Sequence, residues 1–321
     1  VKTEEEGVLA RRLEALLPGR ARVEVTGIAS LGAQRQSVFL TIAEDGQTAK
    51  AVAQIAAAGG DAHVVKREAA LLRAAERAGV NVPRLLAADA DSGTIISEYV
   101  EGESIPRRIL RLVEATPGLG SKLTSDCGRA LAAIHQLPTD AFDALEDLSD
   151  PLRYADEMES RLEMLDTPHP TFRLGVGWLR RSANVFDADP VIVHGDFRLG
   201  NFLASEEGLT AVLDWELVHR GDAMEDLAWL CLRTWRFGSD EREVGGFGSR
   251  EALRVAYEEA GGIWRQQAFR WWTLARTLWW GLGLAGQAKS YLAGDTNSIV
   301  LAASGRRVVE LEYDLLRLMA K

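Results

Sequence analysis

The sequence predicts an α+β fold of two lobes: a small antiparallel-sheet lobe over residues 1–100 and a larger, mostly helical lobe over 101–321. Three observations carry that expectation. Short β-like runs separated by turn signals fill most of the first hundred residues, long helical patterns dominate after Glu101-Gly102, and one β-rich patch at 191–218 interrupts those helices. A chain of 321 residues is long enough to build either one large core or two moderate ones.

The elements follow in order. Residues 4–17 place Val8, Leu9, Leu13, Leu16 and Leu17 on one helical stripe, closed by Pro18-Gly19. Strands are expected at 21–29, 37–44 and 47–56, the last two joined through Asp45-Gly46, a hairpin signal. Residues 63–79 read as a helix ended by Gly79, and 82–100 as two short strands turning at Asp91-Ser92-Gly93. No internal repeat or low-complexity tract is visible.

Composition excludes several function classes. Hydrophobic residues make up 47% and charged residues 26%, a globular balance. The net charge of -10 argues against binding a nucleic-acid backbone or a polybasic membrane anchor, both of which need a Lys/Arg excess. Two cysteines, Cys127 and Cys231, lack metal-ligand spacing and predict a reducing compartment. The acidic, amphipathic start does not read as a secretory signal, and the most apolar stretch, 277–285, is too short to span a bilayer. A soluble, cytoplasmic protein is expected, with oligomeric state left open.

The chemistry concentrates at 191–216, VIVHGDFRLGNFLASEEGLTAVLDWE. Asp196, Asn201 and Asp214 form a set suited to phosphoryl transfer. One carboxylate can accept a hydroxyl proton while an amide oxygen and a second carboxylate hold Mg²⁺ against ATP phosphates. Taken singly, each is an ordinary loop residue. Together, HGDFRLGN (194–201) and LDWE (213–216) resemble the signature of the aminoglycoside phosphotransferase-like family, which includes choline kinase-like members and is distantly related to protein kinases. RGDAMEDLAWL (220–230) resembles that family's continuation, with Ala223 where proline is common. The resemblance implies a two-lobed protein-kinase-like fold and an ATP- and Mg²⁺-dependent kinase acting on a small-molecule hydroxyl. It implies Asp196 as the catalytic carboxylate, Asn201 and Asp214 as metal ligands, and supporting parts for His194 and Asp226. IISEYVEGE (95–103) resembles the inter-lobe hinge, which implies that backbone at Glu98 and Val100 meets the adenine edge.

Glu68 stands out independently, because it sits among Val64, Val65, Leu71, Leu72 and Ala75 on the apolar stripe of its helix. A carboxylate there is costly without a cation. In kinase-like folds the partner is a third-strand lysine that also holds the α- and β-phosphates. Here that register carries Gln54. Lys50 lies on the same strand face but roughly 13 Å along it. Arg35, in the loop SLGAQRQS expected to cover the phosphates, is another candidate, and Gly32 is that loop's single glycine.

The acceptor is less legible. Trp264, Trp271, Trp272, Trp279 and Trp280 read first as core packing and alternatively as a wall of an acceptor site. Acidic groups that a polycationic acceptor would need occur at Asp240-Glu241 and among Asp156, Glu157, Glu159 and Glu163. Two other functions compete: a nucleotide-binding or sensing module, motivated by Gln54, and a two-metal phosphatase or nuclease, which lacks nearby histidine ligands.

Overall fold

The computed structural model describes residues 2–19, 21–29, 35–56, 62–142, 145–185 and 188–320. Contacts divide the chain into two compact units, Val1–Glu103 with Phe202–Glu216, and Ser104–Asn201 with Leu217–Lys321. A boundary drawn only at 100/101 leaves 202–216 with the helices; its backbone hydrogen bonds instead join it to the first unit. Glu103 and Ala204 exchange two such bonds (2.8 and 3.0 Å), and the Val212 N–H donates to the Asn81 carbonyl (2.7 Å).

The first unit opens with helix α1 (Lys2–Glu14), followed by strands β1 (Arg22–Ile28), β2 (Arg35–Glu44) and β3 (Gln47–Ala56). Helix α2 (Ala62–Arg77) then leads to β4 (Leu85–Asp89) and β5 (Thr94–Glu98). All neighbouring strands pair antiparallel, in the order β1-β2-β3-β5-β4. Side-chain alternation gives this sheet two faces. Val38, Leu40, Ala51, Ala53 and Ile96 are buried in one core with Leu13 of α1. The register pairs Ser37 with Gln54 and Gln54 with Ile95, so those residues share the opposite face with Arg35.

The second unit contains helices α3 (Pro106–Ala115), α4 (Leu119–His135), α5 (Pro151–Glu163) and α6 (Pro170–Arg181), then strand β6 (Val191–Val193). The chain leaves this unit for the hairpin β7 (Phe202–Ser205) and β8 (Gly208–Val212). It returns with β9 (His219–Gly221), antiparallel to β6, and helices α7 (Met224–Cys231), α8 (Arg250–Glu259), α9 (Gln266–Ala293), α10 (Ile299–Ser304) and α11 (Val308–Met319). Local signals set several ends. The Asp150 carboxylate caps α5 by accepting from the N–H groups of Leu152 and Arg153, and Gly294, at φ 84°, ends α9.

Trp271, Trp272, Trp279 and Trp280 pack in the core, in two separate places. Helix α9 begins at Gln266, which leaves Trp264 before it. Trp271 and Trp272 are fully buried against Tyr154, with ring centroids 5.8 and 5.0 Å away. Trp279 and Trp280 pack with Trp229, Leu232 and Trp235 in a separate cluster. Both cysteine thiols are buried and free, and burial pushes the Cys231 thiol up to about 12 and the Cys127 thiol well above its ordinary value. Among the described residues, no helix is long and apolar enough to cross a membrane.

Candidate active site

The segment 194–201 leaves β6 as a tight loop. Gly195 adopts φ +82°, and a Cβ there would lie 2.4 Å from the Leu217 carbonyl oxygen, so only glycine fits. Asp226, in the first turn of α7, pins this turn from beneath. It is fully buried, and its carboxylate accepts the backbone N–H groups of His194 (2.7 Å) and Gly195 (2.9 Å). His135 Nε2 lies 3.2 Å from the same carboxylate, and the His135 Nδ1 meets the Tyr257 hydroxyl at 2.8 Å. Burial alone would raise the Asp226 pKa, but His135, with the charge and backbone N–H of His194, holds it below the ordinary carboxylate value. Asp226 thus braces the loop, with His135 held against its carboxylate.

That bracing presents Asp196 in a filled shell of donors. Trp229 Nε1 donates to Oδ1 at 2.7 Å, and Asn201 Nδ2 donates to Oδ2 at 2.5 Å and to the Asp196 carbonyl at 3.0 Å. Arg198 forks onto both oxygens, Nε to Oδ1 at 3.0 Å and Nη2 to Oδ2 at 3.2 Å. Its guanidinium also lies 4.5 Å from the centroid of the Trp235 ring. Arg276 of α9, itself buried, closes the arrangement from below: Nη2 donates to the Gly195 carbonyl at 2.6 Å and Nη1 to Glu225 at 2.9 Å. The same guanidinium sits over Trp229 and Trp279, 4.3 and 4.2 Å from their centroids.

Arg198, Trp229 and Arg276 escape sequence reading. Arg198 was detectable as the single cation between Asp196 and Asn201; the other two depend on partners 33 and 81 residues away.

The remaining candidates lie in the first unit. Glu68 is 4% exposed on α2, and its Oε2 pairs with Arg35 Nη1 at 2.5 Å. Burial raises the Glu68 pKa and Asp214 adds to that rise, while Arg35 opposes it. Asp214 follows β8 at φ 64°, a left-handed conformation that aspartate tolerates better than most residues. Lys50 points elsewhere: its Nζ pairs with Glu101 at 3.0 Å on the surface and lies 5.3 Å from the Tyr99 ring centroid. Gln54 is half-buried beside Ser37. Glu98 ends β5 with its N–H on the Arg84 carbonyl and its side chain 3.1 Å from Arg84 Nε; Val100 lies two residues beyond the strand. Gly32 lies outside the described residues.

Among the described residues, no three His, Cys, Asp or Glu side chains gather to hold a metal. Mg²⁺ in nucleotide enzymes takes only one or two protein ligands plus phosphate oxygens, so an amide oxygen and one carboxylate make a fitting donor set.

Residues 25–268 match the sequence profile of the phosphotransferase enzyme family. The chain belongs to that family. Solved structures related to this phosphotransferase share its fold. One from Ralstonia eutropha, provisionally described as an aminoglycoside phosphotransferase, superposes with a TM-score of 0.74 at 20% identity, covering 97% of this chain and 98% of that one. An ADP-bound aminoglycoside phosphotransferase APH(2'')-Ib gives 0.61 at 18% identity, covering 97% of each chain. The two-lobed, kinase-like fold expected from the sequence is therefore the one observed. Among curated proteins, a probable acyl-CoA dehydrogenase of Arabidopsis thaliana is 30% identical over 189 residues, 53% of this phosphotransferase and 23% of the relative. The chain spans about a quarter of that relative's length.

Proposed function

We propose that this phosphotransferase moves the γ-phosphoryl group of ATP to a hydroxyl of a small molecule, with Mg²⁺ as the metal. The observation that carries the reading is the Asp196 carboxylate, fixed by Trp229, Asn201 and Arg198 on a loop that Asp226 pins through two backbone N–H groups. Such a group is oriented to receive a hydroxyl proton while the oxygen attacks phosphorus. Arg198, two residues on, supplies positive charge where a transferring phosphoryl group develops negative charge. Asn201 spends its amide nitrogen on Asp196, leaving its oxygen as a magnesium donor, with Asp214 as the second. Magnesium would offset the phosphate charge.

The Arg35–Glu68 pair favours a transferase over a binding-only module. It supplies the cation that Gln54 does not, half-buried on the same face of the sheet. Under this reading Arg35 takes over the contact to the phosphates, with Gly32, Gln54, Glu98 and Val100 as further nucleotide contacts. Lys50, held at the surface by Glu101, is the weakest of these candidates.

The acceptor stays at the level of an alcohol. Three of the carboxylates that would favour a polycation are already engaged: Asp156 and Glu159 with Arg180 (2.6 and 2.5 Å), and Glu157 with Arg161 (2.6 Å). The deciding experiment is Mg²⁺-dependent ATP consumption across a panel of alcohols, aminoglycosides, macrolides and hydroxyacyl compounds, wild type beside Asp196→Ala. Acceptor-dependent turnover should fall by about 10²–10⁴-fold in the variant; full turnover in Asp196→Ala would remove Asp196 from the chemistry.

A further inference from the structure

The second unit holds a cavity of about 200 Å³, and its lining does not include Arg198, Asn201 or Trp229, the side chains that donate to Asp196. Four arginines line it, Arg233, Arg236, Arg250 and Arg317, against two carboxylates, Glu243 and Asp314. The carboxylates are spoken for. Asp314 accepts from Arg233 Nε at 2.7 Å, and Glu243 pairs with Arg250. Among the lining side chains that leaves two positive charges in excess, on Arg236 and Arg317, with the Asp240 carboxylate a further counter-charge 3.7 Å from Arg233, in a protein whose overall charge is -10.

Arg236 is the telling group. It is half-buried; among the described residues its Nη1 donates to the neutral carbonyl of Asp240 (2.9 Å) and its Nη2 to that of Cys231 (2.8 Å), and its buried Nε meets no acceptor. Arg250 Nε is likewise buried and unpaired. Burial lowers the Arg236 pKa despite nearby Cys231, Glu243 and Asp240, as expected for an under-compensated cation. Leaving charge and donors in this state costs free energy that an incoming anion would offset.

We propose that this cavity is a binding site for a small oxyanion, a phosphate or a carboxylate, gripped by Arg236 and Arg317. Guanidinium forks suit both anions through paired hydrogen bonds. The volume falls below the roughly 300–1,000 Å³ of pockets for drug-sized ligands, so the site takes a small anion or the charged end of a longer molecule. Leu232, Phe269 and Leu318 supply an apolar wall for a short aliphatic body. The site also has a route to the catalytic loop: Arg236 follows Trp235, whose ring carries the guanidinium of Arg198.

The test is calorimetric titration of inorganic phosphate and, separately, butyrate into the full chain, without Mg²⁺ and with saturating ADP. Wild type should bind at least one of them saturably, at about millimolar strength or tighter. Arg236→Gln and Arg317→Gln should each weaken binding by roughly ten-fold or more, as expected for losing a charged hydrogen bond. Arg180→Gln, outside the cavity, should leave it unchanged. Tighter phosphate binding identifies a free oxyanion, and tighter butyrate binding an organic acid. No saturable binding of either, or binding indifferent to both cavity variants, overturns the proposal. Arg317 is exposed, so its variant stays informative if Arg236→Gln misfolds. Because binding is read without turnover, this outcome is independent of the phosphotransfer assay.

Discussion

Asp196 accepts four side-chain donor contacts, two from Arg198 and one each from Asn201 and Trp229. A carboxylate has about four acceptor positions, so an incoming hydroxyl must displace one donor. Trp229 is buried at 1% exposure and Asn201 at 6%, whereas the Arg198 side chain is 24% exposed, which makes Arg198 the one that yields. Arg198→Ala should therefore lower kcat by about 10²-fold, as loss of one stabilising charge does, with little change in the acceptor KM. Steady-state kinetics check this; a rise in kcat would mean that Arg198 only obstructs. Asp196 and Asn201 were legible because their relation is local, five residues along one loop. Arg198 stood in plain view between them, but its meaning depends on Trp235, which no spacing rule connects to it.

Strand β2 illustrates how far pattern reading reaches. Alternation and the Asp45-Gly46 turn locate β2 and β3 well, yet they do not reveal which residue answers Glu68. Pairing of Ser37 with Gln54 is what brings Arg35 onto the face where a lysine was expected on β3. A double-mutant cycle of Arg35→Gln and Glu68→Gln on ATP affinity should give a coupling energy of roughly 0.5–3 kcal/mol, since each single change strands the other group. Additive effects would separate the two residues. At α7, Asp226→Asn puts an amide against backbone donors in a sealed site and should cost about 3–5 kcal/mol in urea denaturation, with loss of turnover. The helical second unit was legible only as a class. The four tryptophans of α9 divide between two clusters, Trp271 and Trp272 against Tyr154, and Trp279 and Trp280 with Trp229 and Trp235 from other segments.

Across the molecule, buried ion pairs tie stability to pH. Burial lowers the His219 pKa, but Glu225, 3.1 Å away, and the Leu217 carbonyl outweigh it and hold the imidazole above its ordinary 6.5. A raised folded pKa means that the stabilisation is fully present below 6.5 and is lost as pH rises through the folded value. Unfolding free energy measured from pH 6 upward should thus decline in wild type and decline less in His219→Gln. The crossing of the chain between units, out after Asn201 and back at Leu217, was not legible, because it is fixed by backbone bonds of Glu103 and Asn81 rather than by composition. The sealed thiol of Cys127 offers a last consequence. A maleimide reacts at that position only when α4 opens, so labelling resolved by mass at Cys127, apart from the second buried thiol Cys231, clocks the breathing of the helical unit.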